Sequence, residues 1–233
     1  MTDILAIISD MHLGKGNGAE DFGPEYGPHA MRFRDQLWQW RADDVIVVLN
    51  GDGPDLWQAE ENEIIEAHPL TIEALRRTVK HYVRGNHDRK ATSNFLGLEP
   101  LPYLVLGDTF IEHGDAHDWW VANHPMFCQR VSSVAGWLER IVHKDSDEWA
   151  TRFWYWLSGT GRHGRGQTIA RYHEAVGKEA RAHGCERAFY GHLHEWYHYQ
   201  VMPPKGFSKW TDPEVGNTGC CCGGRFDVTR LEV

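Results

Sequence analysis

An α/β fold with largely parallel central strands follows from three features of the 233-residue sequence. Short runs rich in Ile, Val and Leu recur along it, each run is closed by Gly, Asp or Asn, and helically patterned stretches separate them. Five-residue apolar runs bounded by turn residues fit buried strands better than helices. Strand and helix in alternation argue for parallel strands joined by crossover helices.

The first strand is Ile4-Leu5-Ala6-Ile7-Ile8, closed by Ser9-Asp10. A helix from Ala30 to Ala42 leads to the second, Val45-Ile46-Val47-Val48-Leu49, closed by Asn50-Gly51-Asp52. Another helix, roughly Leu70 to Lys80, precedes His81-Tyr82-Val83, which ends at Arg84-Gly85-Asn86. Further strands are expected at Tyr103-Leu106, Thr109-Glu112, Arg187-Tyr190, Trp196-Met202 and Arg225-Val233, with turns at Pro203-Pro204 and Gly223-Gly224.

Residues 116–186 differ. They read as helical almost throughout, broken near Gly159-Thr160-Gly161 and by Gly164 and Gly166. They hold six of the 11 tryptophans, and nine basic side chains against eight acidic ones, whereas the whole chain carries -9. This stretch is expected to be a helical insertion over the α/β body of one domain spanning residues 1–233.

Hydrophobic residues at 41% and charged residues at 24% fit a globular chain. An acidic body disfavours nucleic-acid backbones and polybasic membrane docking. The apolar start has no basic flank and stops at Ser9-Asp10, so it is not read as a signal peptide. No apolar run approaches the roughly 20 residues of a membrane span. The cysteines, Cys128, Cys185 and Cys220-Cys221-Cys222, form no spaced disulfide framework, so a reducing, cytoplasmic setting is expected.

One strand end after another delivers a metal-ligand residue type. The ends read Asp10-Met11-His12, Gly51-Asp52-Gly53-Pro54-Asp55, Gly85-Asn86-His87-Asp88, His113-Gly114-Asp115 and Gly191-His192-Leu193-His194. Loops at the carboxyl edge of an α/β sheet are where such groups gather. In an extended segment residues two apart lie on one side, so Asp10 with His12, and His192 with His194, can address one centre. Mixed imidazole, carboxylate and amide-oxygen ligands suit manganese, iron or zinc. The set is too large for one ion and fits two, with Asp52 able to bridge them through its two oxygens.

This order resembles the calcineurin-like metallophosphoesterase superfamily, whose pattern is D-x-H, G-D-x-x-D, G-N-H-D/E, a His-Gly element and G-H-x-H. The resemblance runs from Asp10 to His194 and implies a four-layer α-β-β-α sandwich with the insertion as a helical cap. It implies a first metal on Asp10, His12, Asp52 and His194, and a second on Asp52, Asn86, His113 and His192. His87 takes the position of the catalytic histidine and Asp55 that of the carboxylate orienting it, while Asp88 reads as a turn residue. The implied cofactor is a pair of divalent cations, manganese first, with iron or zinc as alternatives. The implied reaction is hydrolysis of a phosphodiester or pyrophosphate by a metal-bridging hydroxide. A phosphomonoesterase or protein phosphatase is the alternative within the class; a DNA nuclease subunit and a non-catalytic metal-binding scaffold are others.

The long gap between His113 and Gly191 makes the layout most like the UDP-2,3-diacylglucosamine pyrophosphohydrolase group, and Asn217-Thr218-Gly219 matches a turn many members carry. That group has Arg where this chain has His87, and Arg-Pro where it has Glu195-Trp196. The architecture therefore carries over and the substrate does not; a small phosphate ester or nucleotide-type molecule is expected. Arg162 and Arg165, in a Gly-rich basic stretch, are candidate anion contacts or part of a solvated connector. The cap tryptophans either bind a substrate group or pack the insertion. Cys220 and Cys222 are expected on one face of a strand, as buried small hydrophobes. His124, His143, His163, His173 and His183 are expected at the surface.

Overall fold

The computed structural model describes residues 4–16, 22–131, 165–193, 196–199, 214–221 and 228–232. Two sheets organise them. The first has the order β3-β2-β1-β9, formed by Ile4–Ile8 (β1), Ile46–Asn50 (β2), Val79–Val83 (β3) and Thr229–Glu232 (β9). β1, β2 and β3 run parallel, and β9 returns antiparallel beside β1. The second has the order β4-β5-β6-β8-β7, from Leu104–Leu106 (β4), Thr109–Ile111 (β5), Arg187–Tyr190 (β6), Trp196–Tyr199 (β7) and Glu214–Thr218 (β8). Its central pairs β5/β6 and β6/β8 are parallel, and its outer pairs are antiparallel.

Side-chain alternation along these strands builds four layers. Leu5, Ile7 and Val48 of the first sheet meet Ile111 and Phe189 of the second in one buried cluster, so the sheets pack face to face. The alternate residues Ala6, Ile8, Val47 and Leu49 point the other way, onto two helices. Those are Pro28–Ala42 (α1), which buries Ala30, Phe33, Leu37 and Trp40 at helical spacing, and Pro69–Thr78 (α3). Each opens on a proline, whose missing N–H costs nothing in the first turn. On the outer face of the second sheet, Phe110, Ala188, Tyr190 and Val215 pack against Tyr172, Val176 and Ala180 of Arg165–Ala182 (α6). The layering is α-β-β-α, as the family resemblance implies.

Smaller helices fill the connections: Glu61–Ala67 (α2), Ser93–Leu96 (α4), Trp119–Asn123 (α5) and a 3-10 turn at Asp115–His117. Residues 125–131 are helical too, so the described ends of the 116–186 stretch are helical as expected. The tryptophans at 137, 149, 154 and 156, like His143, His163 and Arg162, lie outside the described residues. No helix among the described residues is long and apolar enough to cross a membrane.

Four expectations need correcting. The helix expected to reach about Lys80 ends at Thr78, because Val79 already pairs with Val47 of β2 and the strand β3 begins there. β8 was not expected as a strand; flanking ladders from β6 and β7 hold it extended. His173, expected at the surface, is buried on α6 against the Tyr190 ring, with centroids 5.6 Å apart. Cys220 and Cys221 follow the end of β8 rather than lying in a strand, although both are buried as small apolar residues.

Candidate metal centre

The carboxyl ends of β1, β2, β3, β5 and β6 deliver Asp10 and His12, Asp52, Asn86 and His87, His113, and His192 to one region. Backbone pairing beyond the strands binds the loops together. The amides of Asp10, His12 and Leu13 donate to the carbonyls of Gly51, Asp52 and Gly53 at 2.9–3.1 Å, and Asp55 donates back to Leu13 at 2.9 Å. Asn50 Nδ2 donates to the Glu112 carbonyl at 2.9 Å, tying the two sheets at this edge.

The local backbone is unusual where ligands are expected. Among the described residues five non-glycines have positive φ, and four are Asp10, His12, Asp52 and His192, at 50–68°. That conformation is disfavoured for residues with a Cβ and clusters at functional sites. The neighbouring glycines permit close approach: a Cβ on Gly191 would lie 2.6 Å from Asp10 Oδ2, and one on Gly85 would collide with Asp52 Oδ1.

Two groups of ligand atoms result, His12 with Asp52 and His87, and Asp52 with His113 and His192, all within 4.8 Å of one another inside each group. Asp52 belongs to both. His113 Nδ1 donates to the Asn50 carbonyl at 3.0 Å, which leaves Nε2 facing Asp52 Oδ2 at 3.1 Å. A carbonyl holding one ring nitrogen so that the other is presented is the usual support of a metal-binding imidazole. Asn86 Oδ1 is buried with no hydrogen-bond partner among the described residues, an oxygen in need of a cation or donor. These donors fit a pair of divalent cations.

Burial by itself would raise the Asp52 carboxyl, but the charges of His113, His87 and His12 outweigh it and hold Asp52 well below the usual carboxylate range. Burial likewise opposes charge on His113, yet Asp52 and Asp10 drive that imidazole well above its ordinary value.

His87 stands at the edge of this group, partly exposed. Its backbone N–H donates to Asp52 Oδ1 at 2.8 Å, and its Nδ1 donates to Asp55 Oδ1 at 2.8 Å. The family resemblance implies Asp55 as the residue orienting His87, and the two side chains are in contact. Asp55 is buried, which alone would raise its carboxyl, but His87 and His12 bring it below the ordinary value.

Asp10 accepts from the His192 backbone N–H at 3.1–3.2 Å with both oxygens. Asn217 Nδ2 donates to the Gly191 carbonyl at 2.7 Å and its Oδ1 accepts from Gly219 at 2.8 Å, so Asn217-Thr218-Gly219 braces the His192 loop. His194 and the side chain of Arg165 lie outside the described residues. Asp88 is not a mere turn residue: fully buried, it accepts hydrogen bonds from the loops after β2 and β3 and from Tyr82.

Three contributors were missed in the sequence. Trp57 stacks on the His87 ring. Asp118 caps α5 through the amides of Trp120 and Val121, and its Oδ2 lies 3.5 Å from His192 Nε2. Tyr172 of α6 stacks beside His192 with ring centroids 6.1 Å apart. An Asp immediately before a helix is a legible cap signal; nothing in the sequence pairs it with a histidine 74 positions on.

An α-β-β-α sandwich with paired ligand clusters at one sheet edge defines a metal-site phosphoesterase architecture. The chain belongs to the calcineurin-like phosphoesterase family, whose model matches residues 5–196. No curated protein matches the sequence. Among solved structures, a dimetal phosphatase from Danio rerio is similar in fold, with a TM-score of 0.50 and 14% identity over 100% of this chain and 93% of that one. A Vps29 mutant from Entamoeba histolytica gives 0.46 and 15% over 99% and 86%, and the phosphoesterase YfkN from Bacillus subtilis gives 0.38 and 11% over 94% and 81%.

Proposed function

We propose that the protein hydrolyses a phosphodiester or pyrophosphate bond of a small substrate with the aid of two divalent cations, manganese first among them. The observation that carries this is the His87–Asp55 hydrogen bond together with two candidate ligand clusters that share Asp52, one of which includes His87. Asp10, His12, Asp52 and His194 would hold one cation, and Asp52, Asn86, His113 and His192 the other. The mixed nitrogen and oxygen donors favour manganese, iron or zinc over magnesium or calcium. Bound there, two cations neutralise phosphoryl charge and acidify water.

The remaining work falls to this chain's own groups. Asp55 accepts the Nδ1–H of His87, so in the doubly protonated ring the proton to be transferred stands on Nε2, and the ring regains it from solvent after each turnover. As a water oxygen bonds to phosphorus and the P–O bond to the leaving oxygen breaks, Nε2 passes its proton to that oxygen. Water returns a proton to solvent, so the charges balance. A positioned proton donor contributes roughly 10²–10⁴-fold. The helical stretch after His113 is read as a cap over this edge of one domain.

The test is a rate profile over nitrophenyl monoesters, nitrophenyl diesters and a pyrophosphate diester with Mn2+ supplied. Faster turnover of the diester or pyrophosphate is expected, and a clear preference for the monoester refutes the assignment.

A further inference from the structure

Trp57 belongs to none of the ligand motifs, yet its indole lies against the His87 imidazole with ring centroids 3.9 Å apart and planes inclined by 23°. Its backbone N–H donates to Asp55 Oδ1 at 3.1 Å, the oxygen that also accepts from His87 Nδ1. One carboxylate oxygen therefore fixes the start of the Trp57 side chain and the direction of the His87 ring together. A second ring, His12, meets His87 edge-on with centroids 4.5 Å apart.

These contacts divide the task of holding an imidazole. A hydrogen bond at Nδ1 sets the direction of the ring but leaves its plane free to tilt, because the torsion about an sp3–sp2 bond is broad. A flat partner in van der Waals contact removes that tilt. We propose that Trp57 is a positioning residue for His87: its indole sets the plane of the imidazole, and Asp55 sets the direction of Nε2 within that plane. The inference rests on the role given to His87 above. The requirement is for a flat ring and not merely for volume, since a misplacement of about 1 Å at a reacting group can cost about 10²-fold.

The experiment compares the Mn2+-loaded wild type with Trp57→Phe, Trp57→Leu, Trp57→Ala and His87→Ala on bis(4-nitrophenyl) phosphate and on diphenyl phosphate, whose leaving oxygen needs a proton more. Trp57→Leu and Trp57→Ala should lose roughly tenfold or more in kcat on diphenyl phosphate, with less loss on the nitrophenyl ester and KM within about twofold. Trp57→Phe should keep about half of the wild-type kcat or more. Proton NMR of the same proteins loaded with Zn2+, which unlike Mn2+ is diamagnetic and leaves nearby ring signals visible, supplies a reading independent of activity. The His87 ring signal, identified by its loss in His87→Ala, should lie upfield in the wild type and in Trp57→Phe and move downfield in Trp57→Ala. Trp57→Leu matching Trp57→Phe in kcat, a loss confined to KM, or a His87 signal indifferent to Trp57→Ala would overturn the proposal. Full activity in His87→Ala, or no hydrolysis of either ester by the wild type, would instead overturn the reading of the site and this proposal with it. Loss in His87→Ala with Trp57→Ala unchanged overturns this proposal alone.

Discussion

The Tyr82 hydroxyl donates a 2.6 Å hydrogen bond to Asp88 Oδ2 in a fully buried position. The same carboxylate accepts from the backbone N–H groups of Gly53 and Gly85, so it fastens the loop carrying Asp52 to the loop carrying Asn86 and His87. Burial and the charge of Asp52 push Asp88 up to about 7, against the pull of its hydrogen bonds. Tyr82→Phe removes one donor and leaves the rest of the packing in place. It should cost about 1–3 kcal/mol in stability, read from urea denaturation of the metal-free protein.

Asp55→Asn keeps the shape of the side chain but exchanges the charged acceptor at His87 Nδ1 for a neutral one. kcat should fall roughly 10–100-fold with KM little changed, the scale seen when a group that orients an active imidazole is altered. Steady-state kinetics on a diester measures both numbers. A loss in KM alone would contradict the orienting role.

Chelation should abolish hydrolysis, and Mn2+ should restore it. Because Asp52 lies in both ligand groups, Asp52→Ala should bind neither ion after dialysis, whereas Asn86→Ala should retain one. Elemental analysis of the two variants decides this, and equal metal content in both would refute the shared-ligand arrangement.

Acid should weaken the fold through His173. Burial lowers this imidazole to about 4 from an ordinary 6.5, so the unfolded chain binds its proton first as pH falls. Its contribution is fully present above about pH 6.5 and is lost progressively down to about pH 4. Between pH 7 and pH 4.5 the loss should be about 2–3 kcal/mol. His173→Phe should flatten that part of the profile, measured by denaturation in the presence of chelator.

How far the sequence reaches depends on the distance over which each feature is decided. β1 and β2 are written in their own five residues, and their boundaries fall within one residue of the expected ones. β8 contains a single large apolar residue, Val215, and is a strand only because β6 and β7 flank it. The segment Glu61–Ala67 buries only Ile64, so its helix leaves almost no apolar pattern; a reciprocal Glu60–Glu63 cap starts it. The site divides in the same way. His87 and Asp55 are recognisable from a motif, and their side chains meet. The Trp57 stack depends on how the loop after β2 closes against Leu13, and the Asp118–His192 approach on where an entire helical segment begins. Neither is a property of local sequence.

Asp52 belongs to both candidate ligand groups, and that shared membership would carry a thermodynamic consequence once both held ions. The first ion to arrive would change the charge that the second one meets at Asp52. Occupancies of the two positions would then be linked by a coupling free energy, and linkage is reciprocal. An affinity measured for the pair describes the joint equilibrium and belongs to neither position by itself.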